Sequence, residues 1–217
     1  MHYVNESAEG SRARRRTETA RTLIRLARAA TAAHGLHGFT VEELCEQAGL
    51  SRRTFFNYFA SKEDAVLGIP LHRGDEELTA AFVAGGTASG DISPTLLDDL
   101  AELALERWRT MDIAPDTARE LFAAMHREPR LLGRMLDLGA QGEQDDARLI
   151  VQREGLEPGD LRAQVAALTV GALARAATGE YLHAEGAESF DVVFARHMRA
   201  ARDLFATQAA SLLEGHA

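Results

Sequence analysis

Residues 40–62 read Thr-Val-Glu-Glu-Leu-Cys-Glu-Gln-Ala-Gly-Leu-Ser-Arg-Arg-Thr-Phe-Phe-Asn-Tyr-Phe-Ala-Ser-Lys, and few backbones satisfy that string. Thr40 is placed to cap a helix whose third position is Glu43, a reciprocal pairing that satisfies amide hydrogens otherwise left free. Val41, Leu44, Cys45 and Ala48 then share one apolar stripe. Gly49 follows where a left-handed residue ends a helix, Leu50 plugs the turn, and Ser51 caps the next helix. The spacing predicts two short helices joined by a tight reversal, a helix-turn-helix.

Successive residues of the second helix are separated by roughly 100° around its axis, so Phe55 and Phe59 fall together and face the first helix as core. Arg53, Phe56 and Asn57 lie opposite, on a side where a purely structural helix shows small or charged residues rather than a large ring. Arginine pairs bidentately with guanine, asparagine with adenine, and phenylalanine contacts a thymine methyl; each good bidentate pair carries roughly 1–3 kcal/mol of discrimination. Arg53, Phe56 and Asn57 are therefore the candidate base readers. Thr54 and Tyr58 flank that face on one side and Arg52 on the other. With Ser51, Thr40 and Lys62 they make up the candidate phosphate contacts, which position the helix without reading sequence.

The run Ala48 to Glu63 resembles, nearly position by position, the DNA-binding domain of the tetracycline-repressor (TetR) family of bacterial regulators, and the likeness spans residues 17–66. It implies an all-α fold: a three-helix helix-turn-helix domain plus a larger helical ligand-binding and dimerisation domain, about nine helices. It also implies phosphate binding at Thr40, Tyr58 and Lys62 and groove contact at Arg53, Phe56 and Asn57. Many members carry Gly at position 53 and Tyr or His at 56 or 57, so the resemblance does not carry over an operator sequence.

Charge supports a nucleic-acid partner. The whole chain has 24 Lys and Arg against 33 Asp and Glu, a net of −9, whereas residues 1–63 hold ten basic and seven acidic residues, a net of +3. Binding to phosphate must then rest on the local field of the amino-terminal part. The leading segment 1–16 is polar and ends in Arg14, Arg15 and Arg16; it is expected to be a disordered basic arm able to reach phosphates or a minor groove. The chain contains no apolar run of about 18 residues and no secretory signal at its start, so a cytoplasmic protein is expected. The single cysteine, Cys45, falls on the buried stripe and reads as packing.

Helical patterns recur along the rest of the chain and strand patterns almost never do. A helix from Thr17 to about His34 completes the DNA-binding unit, 17–66. A further helix from Ser61 is expected to run past residue 80 with Pro70 disturbing one turn. Helices are expected from Ser93-Pro94, from Pro115-Asp116 and from about Pro129, with residues 139–148 either helical or a break. Residues 67–217 form the expected ligand-binding and dimerisation domain. Phe82, Leu105, Trp108, Phe122, Met125, Met135 and Leu136 supply candidate apolar pocket walls. Helices over about 160–183 and 189–213 are long and one-sided, and the resemblance assigns such a final pair to a homodimer interface. Two recognition helices about 34 Å apart would then read a palindrome.

The resemblance further implies a small-molecule effector, of apolar or amphipathic character, that releases a repressor from double-stranded DNA. No cofactor and no metal is expected, and neither is a membrane partner. Two other readings stand beside this one. A helical enzyme would show turnover without DNA, yet the chain has no nucleophile elbow, zinc-protease motif or dinucleotide fingerprint. A nonspecific DNA-bundling protein would show little sequence discrimination, and the acidic total charge disfavours it.

Overall fold

The computed structural model describes the backbone of residues 3–71, 74–111, 115–183 and 188–214, and side chains within residues 15–71, 74–109, 117–183 and 188–206. Among the described residues it is all-helical. The elements are α1 (Tyr3–His34), a 3-10 turn (Leu36–Gly38), α2 (Val41–Ala48), α3 (Arg52–Tyr58), α4 (Lys62–Leu67), α5 (Glu76–Ala84), α6 (Leu96–Met111), α7 (Pro115–Arg127), α8 (Arg130–Glu154), α9 (Leu161–His183) and α10 (Phe190–Glu214). They divide into two compact units, residues 1–74 with 111–138, and residues 75–110 with 139–217.

The first unit has a core of Leu23, Ala27, Leu36, Leu44, Phe55, Phe59 and Val66, to which α7 and the first turns of α8 add Leu121, Ala124 and Leu131. It is therefore larger than the contiguous 17–66 segment. Arg28 on α1, 3% exposed, explains part of the difference. Its guanidinium donates to the carbonyls of Val66 and Leu67 at the end of α4, and to that of Thr117 on α7 at 3.3 Å. Burial pushes Arg28 down to about 10, so it remains a cation at neutral pH. Glu128, after α7, accepts the amide of Leu36 at 2.8 Å. Contacts across such sequence distances leave no periodic signature in the chain.

Two expectations about elements differ from the structure, and a third segment is open in the sequence. The segment expected to be a disordered arm is helical from Tyr3, as part of α1; no proline interrupts it, and its Ala, Arg and Glu residues are strong helix formers. The helix from Ser61 does not run past residue 80. Gly68, at φ +78°, closes α4 with its amide bonded to Asp64 and Ala65 carbonyls, and Leu71 then donates to the Tyr58 carbonyl at 2.6 Å. Residues 139–148, open between helix and break in the sequence, are helical within an unbroken α8, where Asp146 accepts Arg107 at 2.6 Å and Glu143 pairs with Arg175.

In the second unit, Phe82, Leu96, Leu100, Ile150, Ala163, Val170, Phe190, Phe194 and Met198 belong to one core. Trp108 stacks on Phe190 with centroids 3.9 Å apart, and Tyr181 meets Trp108 edge-on at 5.8 Å. Arg153 and Glu154, 1% and 0% exposed, lie inside this unit. Glu154 accepts Arg153 Nε at 3.0 Å and both the hydroxyl and the amide of Ser93, at 2.7 and 3.2 Å. Arg153 also reaches the Phe82 carbonyl, Thr95 and Asp99. Ser93, expected only to cap α6, thus gives its hydroxyl to a distant carboxylate and closes a fully bonded buried pair.

Candidate nucleic-acid interface

The interface is built outward from local caps. Thr40 accepts the Glu43 amide while Glu43 accepts the Thr40 amide at 2.7 Å, so the reciprocal cap expected at the start of α2 is formed. Those bonds, the backbone amide foremost, hold the Glu43 carboxyl below its usual range. Gly49, at φ +66°, ends α2, and Leu50 donates to the Cys45 carbonyl at 2.8 Å, the left-handed closure that reverses the chain. Ser51 caps α3 by accepting the Thr54 amide at 3.1 Å. Burial pushes the Cys45 thiol up, away from reactive thiolate.

Phe55 and Phe59 are 0% exposed and anchor α3 to the core. Their burial fixes the rotation of the helix and turns Arg53, Phe56 and Asn57 outward. All three are exposed, Phe56 by 39% despite its size. The ring of Phe56 rests edge-on against Phe55, with centroids 5.3 Å apart, so an aromatic group stands at the surface in a held orientation. The three candidate base readers share one solvent-facing side of α3, as the helical spacing requires.

The candidate phosphate contacts are less uniform. Thr54 and Tyr58 sit half-buried on the flank of α3, and Arg16 from α1 lies over the Tyr58 ring at 5.9 Å. Arg15 is exposed beside it in sequence; the side chain of Arg14 lies outside the described residues. Thr40 and Ser51 are exposed, but their hydroxyls are engaged as caps, with Ser51 Oγ 2.8 Å from Thr54 Oγ1. Arg52 pairs with Glu42 of α2 at 3.1 Å. Lys62 turns its ammonium inward, where it donates to the carbonyls of Leu36 and, at 2.8 Å, Phe39, and sits 4.7 Å from the Phe39 ring centre. In this structure Lys62 ties the start of α4 to the chain entering α2.

The seven candidate pocket residues divide between the two units. Phe82, Leu105 and Trp108 belong to the core of the second unit. Phe122, Met125, Met135 and Leu136 belong to the first, where Met125 packs on the core and the other three are exposed. Helical spacing shows which residues share a face of one helix, not which helix that face meets. Residues the sequence did not single out include Glu42, Arg28, Glu128 and the pair Arg134–Asp64, joined at 3.0 Å. Only Glu42 carried a signal, as an acid in the first turn of α2 across the reversal from Arg52.

Comparison with known proteins places this surface in context. Residues 23–67 match the tetR family of bacterial regulatory proteins. The chain is 30% identical over 204 residues to the HTH-type transcriptional regulator TcmR of Streptomyces glaucescens, covering 91% of this chain and 89% of that one. It is 28% identical over 188 residues to a protein of Mycobacterium tuberculosis (strain ATCC 25618 / H37Rv) named as a mycofactocin biosynthesis transcriptional regulator, MftR, covering 83% and 91% respectively. Among solved structures, a TetR-family regulator from Mesorhizobium loti MAFF303099 aligns at 21% identity and a TM-score of 0.42, over 88% of this chain and 96% of that one.

Proposed function

The chain belongs to the tetR family of bacterial regulatory proteins and is a DNA-binding transcriptional regulator, and on that premise we propose that it binds a palindromic operator as a homodimer, represses transcription, and is released by a small apolar or amphipathic effector. The observation that carries this reading is the outer side of α3: Arg53, Phe56 and Asn57 exposed over a fully buried Phe55–Phe59 anchor. Arg53 and Asn57 serve as bidentate base readers and Phe56 as the apolar contact. Thr40, Ser51, Thr54 and Tyr58 hold the phosphate walls, and Arg14, Arg15 and Arg16 extend the basic margin from α1.

Homodimerisation has its own support. On α9, Ala163, Ala166, Ala167 and Val170 are buried in the unit's core, while Leu161, Val165 and Leu168 form an opposite apolar stripe at 70, 51 and 51% exposure. A helix apolar on both sides needs a second partner. A second copy meets that need and sets two α3 helices for successive major grooves. Sedimentation showing a monomer at micromolar concentration would refute the dimer.

The effector is proposed to bind in the second unit, where Phe82, Leu105 and Trp108 supply apolar surface, and to favour a conformation with lower operator affinity. Trp108 is the only tryptophan, so its fluorescence reports occupancy. The function is tested by selecting bound fragments from random DNA and then screening metabolites for release. A single enriched inverted repeat is expected, with Asn57→Ala relaxing preference at one base position and Tyr58→Phe weakening all sequences alike. Recovery of no enriched sequence would sink the specific-regulator reading.

A further inference from the structure

Arg52, a cationic candidate phosphate contact, is ion-paired with an acid. Its Nε lies 3.1 Å from Glu42 Oε1, and its guanidinium carbon lies 5.5 Å from the centre of the Phe56 ring. Phe56 is thus held from two sides, by the edge of the buried Phe55 ring and by a guanidinium that α2 keeps in place. Both members of the ion pair are more than half exposed, and such pairs add little to folding. A carboxylate already bonded to Arg52 competes with a DNA phosphate for the same donors, and it also keeps the cation stacked on the ring.

We propose that Glu42 is a specificity-determining residue acting through Arg52: it withholds the guanidinium from the DNA backbone and uses it to fix the Phe56 ring for base contact. The inference rests on the reading of α3 as the recognition helix. Its chemical logic is that phosphate attraction raises affinity for every sequence alike, whereas a ring of fixed orientation favours only sequences that fit it. Restraining one cation near the base readers therefore lowers nonspecific binding more than specific binding. Glu42 is a positioning residue; the capping bonds of α2 belong to Thr40 and Glu43, so its substitution leaves the helix start intact.

The test is a double-mutant cycle on the full chain, with wild type, Glu42→Gln, Arg52→Ala and the double variant. Each is titrated with the duplex recovered by selection and with a random-sequence duplex of equal length, at several salt concentrations. Glu42→Gln is expected to raise affinity for the random duplex about five- to tenfold and to steepen its log–log salt slope by about 0.9, the signature of one added phosphate contact. The selected-over-random ratio should fall with it. In the Arg52→Ala background the same substitution should change neither slope nor ratio. An equal gain in both backgrounds would mean that only net charge matters, and an unchanged or weakened binding of the random duplex by Glu42→Gln would also overturn the proposal. Wild-type protein that binds the selected duplex while the cycle fails leaves the regulator reading standing. Wild-type protein that binds neither duplex removes both.

Discussion

In the unit that carries the recognition helix, the side-chain bonds that cap α2, α3 and α4 reach three residues along the chain: Thr40 with Glu43, Ser51 with Thr54, Ser61 with Asp64. In the second unit they reach across the whole fold, from Ser93 to Glu154, from Arg153 to Phe82 and Asp99, and from Arg107 to Asp75 and Asp146. The difference teaches how each is determined. A helix that must offer one side to DNA needs only its caps and two buried rings to set its rotation, and among the described residues its outer side chains Arg53, Phe56 and Asn57 are exposed. A core that encloses a carboxylate and a guanidinium is stable only if distant segments bring their donors and acceptors to them.

The sharpest way to break this comparison is Arg153→Met. Glu154 would stay buried without its cation, and the second unit should lose about 3–5 kcal/mol of stability. Trp108 fluorescence during urea unfolding follows that unit, and a midpoint equal to wild type would erase the contrast. The double variant Arg153→Met, Glu154→Gln should recover part of the loss. On the other side, Gly49→Ala tests the local device. No atom lies within 4 Å of an added Cβ there, and the backbone is at φ +66°, so the cost is conformational alone, about 1–2 kcal/mol. Circular dichroism melting reads it.

Lys62→Met sharpens the comparison within the interface. With its ammonium on the Leu36 and Phe39 carbonyls, its loss should weaken binding to every duplex several-fold, about 1 kcal/mol, with the salt slope unchanged. A slope reduced by about 0.9 would instead identify a direct phosphate contact. The smallest expected effect is on pH dependence. The Glu43 carboxyl is held below its ordinary value by the Thr40 amide and hydroxyl. Its stabilising contribution is therefore complete above the ordinary carboxylate range and disappears as pH falls through the lowered value. Acid titration of the melting midpoint should show that limb in wild type and not in Glu43→Gln, which keeps the cap but does not titrate.

The helix-turn-helix was legible because each of its signals is short. The Thr40–Glu43 cap, the Gly49 closure and the Phe55–Phe59 pair all lie within 20 residues, and the structure forms each of them. The boundary at Gly68 was hidden, since a helical pattern on both sides of it masked a left-handed residue followed by non-helical residues 69–71. The state of residues 139–148 stayed open between helix and break, because acids and glycines fit either until Arg107 and Arg175 are brought against them. Among the site residues, the outward side of α3 followed from 3.6-residue geometry. The partners of Arg52 and Lys62 did not.

The amino-acid string by itself fixed the helical class, the reversal between α2 and α3, and which three side chains of α3 look outward, for these depend on dihedral preferences and periodicity within one or two turns. Only the tertiary structure decided that α7 joins the first unit, that Arg153 and Glu154 are interior, and that Glu42 holds Arg52 while two carbonyls hold Lys62. Long side chains choose partners by proximity in space, and proximity between segments far apart in the chain exists only once the backbone has packed.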